Sequence, residues 1–395
     1  MSLAPPDSRS GDLPAPSAAE RAHSDSVVAP VVHMIAEEEG WISFADYMNA
    51  VLYAPGLGYY AAGAHKFGAA GDFVTAPELT PLFGRTLAIQ LAQVLASVPE
   101  GDILEIGPGS GRLAGDVLET LAESDALPAR YLLLEVSPDL RERQREHLSA
   151  QVGDLMRRVE WIDVLPEGWR GAVIANEVLD AVPAHLIVRR GGAWLERGVT
   201  VDTGACLAFC DRPLAPGLLR NIAQSRFPAD GDYVSEVNPT AEALVTSVAA
   251  RCERGLMLLV DYGFPAAEFY HPQRDGGTLM AHYRHRALAD PFFYPGLCDM
   301  TAHVDFSAIA RAGVAAGMTV AGFATQANFL VNCGVLDALA RCGDPQSAAY
   351  LRAASTVQKL TSPAEMGELF KVLALTRELD VELIGFRDGD RSHRL

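Results

Sequence analysis

The stretch ILEIGPGSGRLAGDVLETL, residues 103–121, decides the fold. It opens on a branched apolar run, breaks at Gly107, Gly109 and Gly111, and continues with Leu113, Val117, Leu118 and Leu121 at helical spacing. That order predicts a strand, a glycine turn and a helix whose N-terminal N–H groups face a ligand. Reading outward, branched runs recur at YLLLE (131–135), VEWID (159–163), AVIAN (172–176) and LMLLVD (256–261), mostly separated by helical sequence. The alternation predicts an α/β chain built on a Rossmann-like, doubly wound parallel sheet. Only residues 164–171 separate the third run from the fourth, fewer than the dozen or so that a parallel crossover takes, which predicts a short crossing poor in helix. Thr319–Thr325 and Phe370–Thr376 read as two further strands, with a helical insertion over about 326–366 between them.

Upstream, residues 27–98 read as a helical region. Its last helix starts at Thr80 as N-cap with Pro81 in the first helical position, after the polar loop GAAGDFVTAPELT (68–80). Residues 1–26, rich in Pro, Ser and Ala, read as a disordered tail. The stretch 99–395 carries the sheet and is interrupted over about 185–235 by LIVRRGGAWLERGVTVDT and ACLAFC. These read as antiparallel ribbons turned at Gly191, Gly192 and Gly204, an insertion placed to shape a substrate pocket.

With 395 residues, 49% of them apolar, the chain is long enough for two or three domains. Its 32 Lys and Arg against 50 Asp and Glu leave a net charge of −18, which repels phosphate backbones and anionic headgroups. Nucleic acid is excluded as a first reading, and no apolar run is long enough for membrane insertion. The chain reads as cytoplasmic and bacterial. Six cysteines without a CxxC pair read as reduced thiols. His282 and His285, flanked by Arg284 and Arg286, have no third ligand at metal spacing. They read as a basic loop after the fifth strand, solvated or covering a substrate, with no metal.

A dinucleotide fingerprint wants a third glycine where this chain has Arg112, which counts against a nicotinamide cofactor. Glu105, two residues before the first glycine, is expected to point from its strand end into the crevice. A carboxylate there opposes pyrophosphate and suits the sulfonium and ammonium of S-adenosyl-L-methionine. Glu135 is placed to accept ribose hydroxyls and Asp163 the adenine amino group. Each acid alone reads equally as a strand-end cap; three in register across consecutive strands point to a cofactor site. Glu177 and Asp180 follow the fourth strand at the crevice mouth. They are candidates to hold a cationic guanidinium, with Asn176 positioning it or the cofactor. A plainer reading has Asp180 cap the turn before Pro183 and Asn176 bond its own loop. His303 and Asp305 form a second polar pair, Asp305 equally a helix N-cap.

The residues now on the page resemble the MidA family. The resemblance runs through GDFVTAPELTPLFG (71–84), LEIGPGSGRL (104–113), LLLEVSPDLRERQ (132–144), ANEVLDAVPAHL (175–186), LLVDYG (258–263), PGLCDMTAHVDF (295–306), TQANFL (325–330) and PAEMGELFKVLAL (363–375). It implies a class I S-adenosyl-L-methionine-dependent methyltransferase fold. It also implies methyl transfer to arginine of a respiratory complex I subunit, as symmetric dimethylarginine in the mitochondrial case. It places Asp72, Thr75 and Glu78 over the cofactor and Ser137 beside it. Two blocks depart from the family: its glycine loop commonly reads GPGRGT where this chain has Ser110 and Arg112, and its NEFFD appears as residues 176–180, NEVLD. Two other readings are a small-molecule N- or O-methyltransferase and a cofactor-binding assembly chaperone. A homodimer is open.

Overall fold

Among the described residues the central sheet has eight strands, the two-residue strand Val304–Asp305 beside the end of β5 and seven in one path: β1 (Asp102–Ile106), β2 (Tyr131–Leu134), β3 (Val159–Ile162), β4 (Trp169–Asn176), β5 (Cys252–Phe264), β6 (Thr319–Thr325) and β7 (Phe370–Arg377). The computed structural model, which describes residues 13–62 and 75–395, orders them β3-β2-β1-β4-β5-β7-β6. Strands β1 to β5 run parallel, and β7 runs antiparallel to both β5 and β6. Strand order reverses between β1 and β4, where doubly wound sheets open a crevice at their carboxyl ends. The crossing from β3 to β4 is made by residues 163–168 without a helix.

Central parallel strands are covered on both faces, so they must be apolar almost throughout; Ala172, Val173, Ile174 and Ala175 of β4 are all buried. One face packs on helix Pro81–Ser97, through Phe83, Leu87, Leu91 and Val94, and on helix Arg112–Glu123, through Leu113, Val117 and Leu121. Thr80 caps the first of these by accepting from Leu82 N–H at 3.3 Å, with Pro81 at the next position.

The chain divides into two compact units, and the division differs from the predicted one. The unit that carries the sheet comprises residues 74–180, 242–265 and 304–395; the other comprises 1–73, 181–241 and 266–303. Helix Pro81–Ser97 therefore belongs with the sheet and not with an N-terminal helical region, because its apolar stripe is completed by the glycine-turn helix. In the other unit, N-terminal helices and ribbon insertion share one core. Strand Ile42–Ser43 pairs with Ala193–Val201, and Val31, Phe44, Tyr47 and Met48 pack with Leu186, Val199 and Tyr283.

Two further expectations are corrected in that unit. Disorder does not extend to residue 26: a helix starts at Ala18, where Ser17 and Glu20 form a reciprocal capping box, and it buries Val27, Val28, Val31 and Ile35. The basic residues 282–286 are not on a long loop. They form a hairpin between strands Met280–Tyr283 and Arg286–Leu288, turned by Arg284 and His285 at φ +48° and +64°. Arg284 donates to Glu20 at 2.8 Å. Among the described residues, no helix is long and apolar enough to cross a membrane.

Candidate active site

The carboxyl ends of β1 to β5 carry most of the residues singled out above. After β1 the backbone turns through Gly107, Gly109 and Gly111 at φ +64°, +54° and +84°, values open chiefly to glycine. At Gly107 a side chain is excluded a second time, because a Cβ would lie 2.9 Å from Val178 Cγ2. Gly111 then starts helix Arg112–Glu123. Helix Ala76–Leu79 borders this turn. Glu78 accepts from the Ser110 hydroxyl and pairs with Arg112 Nε at 3.1 Å, so both residues that depart from the family's glycine loop are held by one carboxylate. Thr75 stands at the N-cap of that short helix and makes no side-chain cap bond there. Asp72 lies outside the described residues.

Glu105 does not face the crevice as an open carboxylate. It is 2% exposed on the core side of β1, and the Tyr131 hydroxyl donates to it at 2.7 Å. Burial pushes its pKa up to about 8, against the pull of that hydrogen bond, so it is protonated at neutral pH. The electrostatic selection expected of Glu105 is thus weakened, because a neutral carboxyl neither attracts a sulfonium nor repels pyrophosphate.

Glu135, at the end of β2, is buried and accepts from Ser137 N–H at 2.8 Å and from Gln144 Nε2 at 3.3 Å. Burial raises its pKa, opposed by these donors, by Val136 N–H and by Arg141. Ser137 caps helix Pro138–Val152 through its hydroxyl and is itself buried. Asp163, just past β3, is exposed. The residues that follow these two acids, Val136 and Val164, are 73% and 71% exposed, unusual for valine.

Asn176, the last residue of β4, donates to Glu177 Oε1 at 3.1 Å, bonding its own loop as in the plainer reading, while its Oδ1 is buried with no hydrogen-bond partner among the described residues. Glu177 sits at φ +52°, its N–H bonded to Val260 O and its carboxylate accepting from Ala76 N–H at 3.3 Å. Asp180 is buried. Asp261 of β5 organises this turn. One of its oxygens accepts from the N–H groups of Val178, Leu179 and Asp180 at 3.2, 2.9 and 3.3 Å. Its pKa stands well above the carboxylate range, through burial first and then through repulsion from Asp180 and Glu177. Three acids thus crowd one turn.

Of the second polar pair, Asp305 is a helix N-cap, accepting from Ala308 N–H at 3.1 Å. His303 donates its N–H to Thr278 and belongs to the other unit, not to the one holding Glu177 and Asp180.

Sequence reading missed Asp261, Tyr131, Gln144, Trp161 and the two valines. For Gln144 a signal was present: with Leu148 and Val152 it forms the buried stripe of an otherwise charged helix. Asp261 ends the run LMLLVD as Glu135 ends YLLLE, but its partners lie more than 80 residues upstream, so its role in the turn after β4 was not legible.

The comparisons with known proteins agree with this geometry. Residues 86–324, well over half of the chain, match the model of a family described as S-adenosyl-L-methionine-dependent methyltransferases. The Caenorhabditis elegans homolog of the mitochondrial protein arginine methyltransferase NDUFAF7 is 30% identical over 76% of this chain and 75% of its own. The Mus musculus protein of that name is 29% identical over 90% and 86%. A crystal structure from Burkholderia thailandensis, bound to S-adenosyl-homocysteine, superposes with a TM-score of 0.94 at 48% identity and covers 97% of this chain and all of that one. With its crevice at the β1/β4 reversal and its family match across the glycine turn, this chain belongs to the S-adenosyl-L-methionine-dependent methyltransferases.

Proposed function

We propose that the chain methylates a guanidinium nitrogen of arginine in a protein substrate. The observation that carries this reading is the acidic turn after β4, where Glu177, Asp180 and Asp261 are crowded enough to repel one another. A guanidinium is a planar cation, and a cluster of carboxyls is the environment that compensates its burial. The names of the relatives support the same substrate class.

The residues present suit the cofactor. Glu135 would receive the ribose hydroxyls and Asp163 the adenine amino group, with Val136 and Val164 against the ring faces. The turn from Gly107 to Gly111 leaves room for the methionine portion, and the Asn176 Oδ1 has an acceptor to offer. When bound, the cofactor supplies an electrophilic methyl carbon on sulfur. Glu177 and Asp180 hold the guanidinium so that one nitrogen faces that carbon in line. Glu177 would take the proton that the guanidinium nitrogen sheds on receiving the methyl group, whose former bonding pair stays with the departing neutral thioether. The resemblance to the MidA family adds a respiratory-complex subunit as target, and the acidic, Pro- and Ser-rich first 26 residues, unlike a transit or signal sequence, favour the cytoplasm as the place of reaction.

Glu177→Gln keeps the shape of the side chain and removes its charge. Incubated with labelled S-adenosyl-L-methionine and cell lysate, the wild type should yield peptides carrying methylarginine and the variant none, while cofactor affinity stays within a few fold. Undiminished label from the variant would remove Glu177 from the reaction, and label confined to small molecules would overturn the protein substrate.

A further inference from the structure

Gln144 is fully buried, and its amide makes three bonds to three different parts of the cofactor end. Its Nε2 donates to Gly109 O at 2.8 Å and to Glu135 Oε2 at 3.3 Å, and its Oε1 accepts from Trp161 Nε1 at 2.8 Å. An indole N–H can only donate, so Trp161 fixes which end of the amide faces β3 and turns the NH₂ toward the glycine turn and the carboxylate. The reverse orientation would set the amide oxygen against two acceptors. The side chain also packs beneath the turn, where a Cβ on Gly111 would lie 3.4 Å from Gln144 Cγ. No other amino acid meets all of this: leucine strands the Trp161 N–H and takes a donor from Glu135, glutamate sets acceptor against acceptor, and asparagine is a methylene short.

We infer that Gln144 is a positioning residue for the adenosine half of the cofactor, orienting the Glu135 carboxylate toward the ribose hydroxyls and tying it to the glycine turn. This rests on the assignment of Glu135 to the ribose. With Ser137 N–H on one oxygen and Gln144 on the other, Glu135 is held at both ends. The carboxylate keeps lone-pair capacity for the ribose. The same amide connects the nucleoside end to the loop that faces the methionine end, so loosening it should be felt through the ribose first.

The test compares S-adenosyl-homocysteine with its 2′,3′-dideoxyribose analogue, by calorimetry on the full chain. Wild type should bind the natural compound at least about tenfold more tightly. Gln144→Leu should weaken S-adenosyl-homocysteine by about tenfold and the analogue by less than about twofold. The KM for S-adenosyl-L-methionine should rise while kcat at saturation holds. Trp161→Phe removes only the donor that sets the amide's orientation, and should show a smaller loss, about threefold, again confined to the natural compound; it serves should the leucine variant not fold. Equal losses for both compounds, or no loss, would overturn the proposal. A wild type unable to tell the two apart would overturn the Glu135 assignment itself, and the proposal with it.

Discussion

The glycine-turn side of the crevice and the turn after β4 both gather buried acids, and they handle them in opposite ways. Beside the glycine turn Glu105 and Glu135 are each met by a neutral side-chain donor, Tyr131 for Glu105 and Gln144 for Glu135. After β4 the acids stand against one another, and Asp261 is met by the backbone of the very segment that carries Glu177 and Asp180. A carboxyl with a private neutral donor gives a fixed recognition surface. Carboxyls that repel one another gain free energy when a cation arrives. On the function proposed above, the contrast would separate a preformed nucleoside site from a site completed by its substrate.

Asp261 offers the sharpest way to break this contrast. Asp261→Ala leaves three buried N–H groups without their common acceptor and should cost about 3 kcal/mol in a denaturant titration. Asp261→Asn retains an acceptor oxygen for those N–H groups and should cost under about 1 kcal/mol. Equal costs for the two would mean that a charge, and not the acceptor, holds the turn.

Glu105 sharpens the other side. Its folded pKa of about 8 lies above the unfolded value of 4.5, so the folded chain binds the extra proton between those pH values. Stability is therefore complete below pH 4.5 and declines as pH rises through 8. Asp116, pushed up to about 6 by burial, adds to the slope in the same sense over a narrower window. Glu105→Gln keeps the bond from Tyr131 and should leave Tm unchanged near pH 4 but stabilise by about 2 kcal/mol at pH 9. A variant less stable than wild type at pH 9 would show that Glu105 is ionised and satisfied, which would return to it the role of attracting a cation.

What could be read from residues alone follows the same division. The strand, glycine turn and helix over 102–123 form one local unit whose apolar spacing and φ requirements are written in adjacent residues, and β2 with Glu135 repeats the pattern. The start of helix Ala18–Glu37, residues 18–26, was hidden because Pro and Ser dominate the residues before it, while what holds it is a capping box and burial against sequence hundreds of residues away. The orientation of Glu105 turned on a single tyrosine in the neighbouring strand. The turn after β4 was legible as an acidic cluster, but its organiser is supplied by β5, and no local spacing announces that.

The account depends most directly on Glu135 as the acceptor of the cofactor's ribose. Titration of S-adenosyl-homocysteine into wild type and Glu135→Ala, followed by calorimetry with thermal unfolding as a check on the fold, measures it. The predicted result is a loss of about 1–3 kcal/mol in binding with the fold retained, the cost of leaving the two hydroxyls unpaired; equal affinity in the two proteins would contradict it.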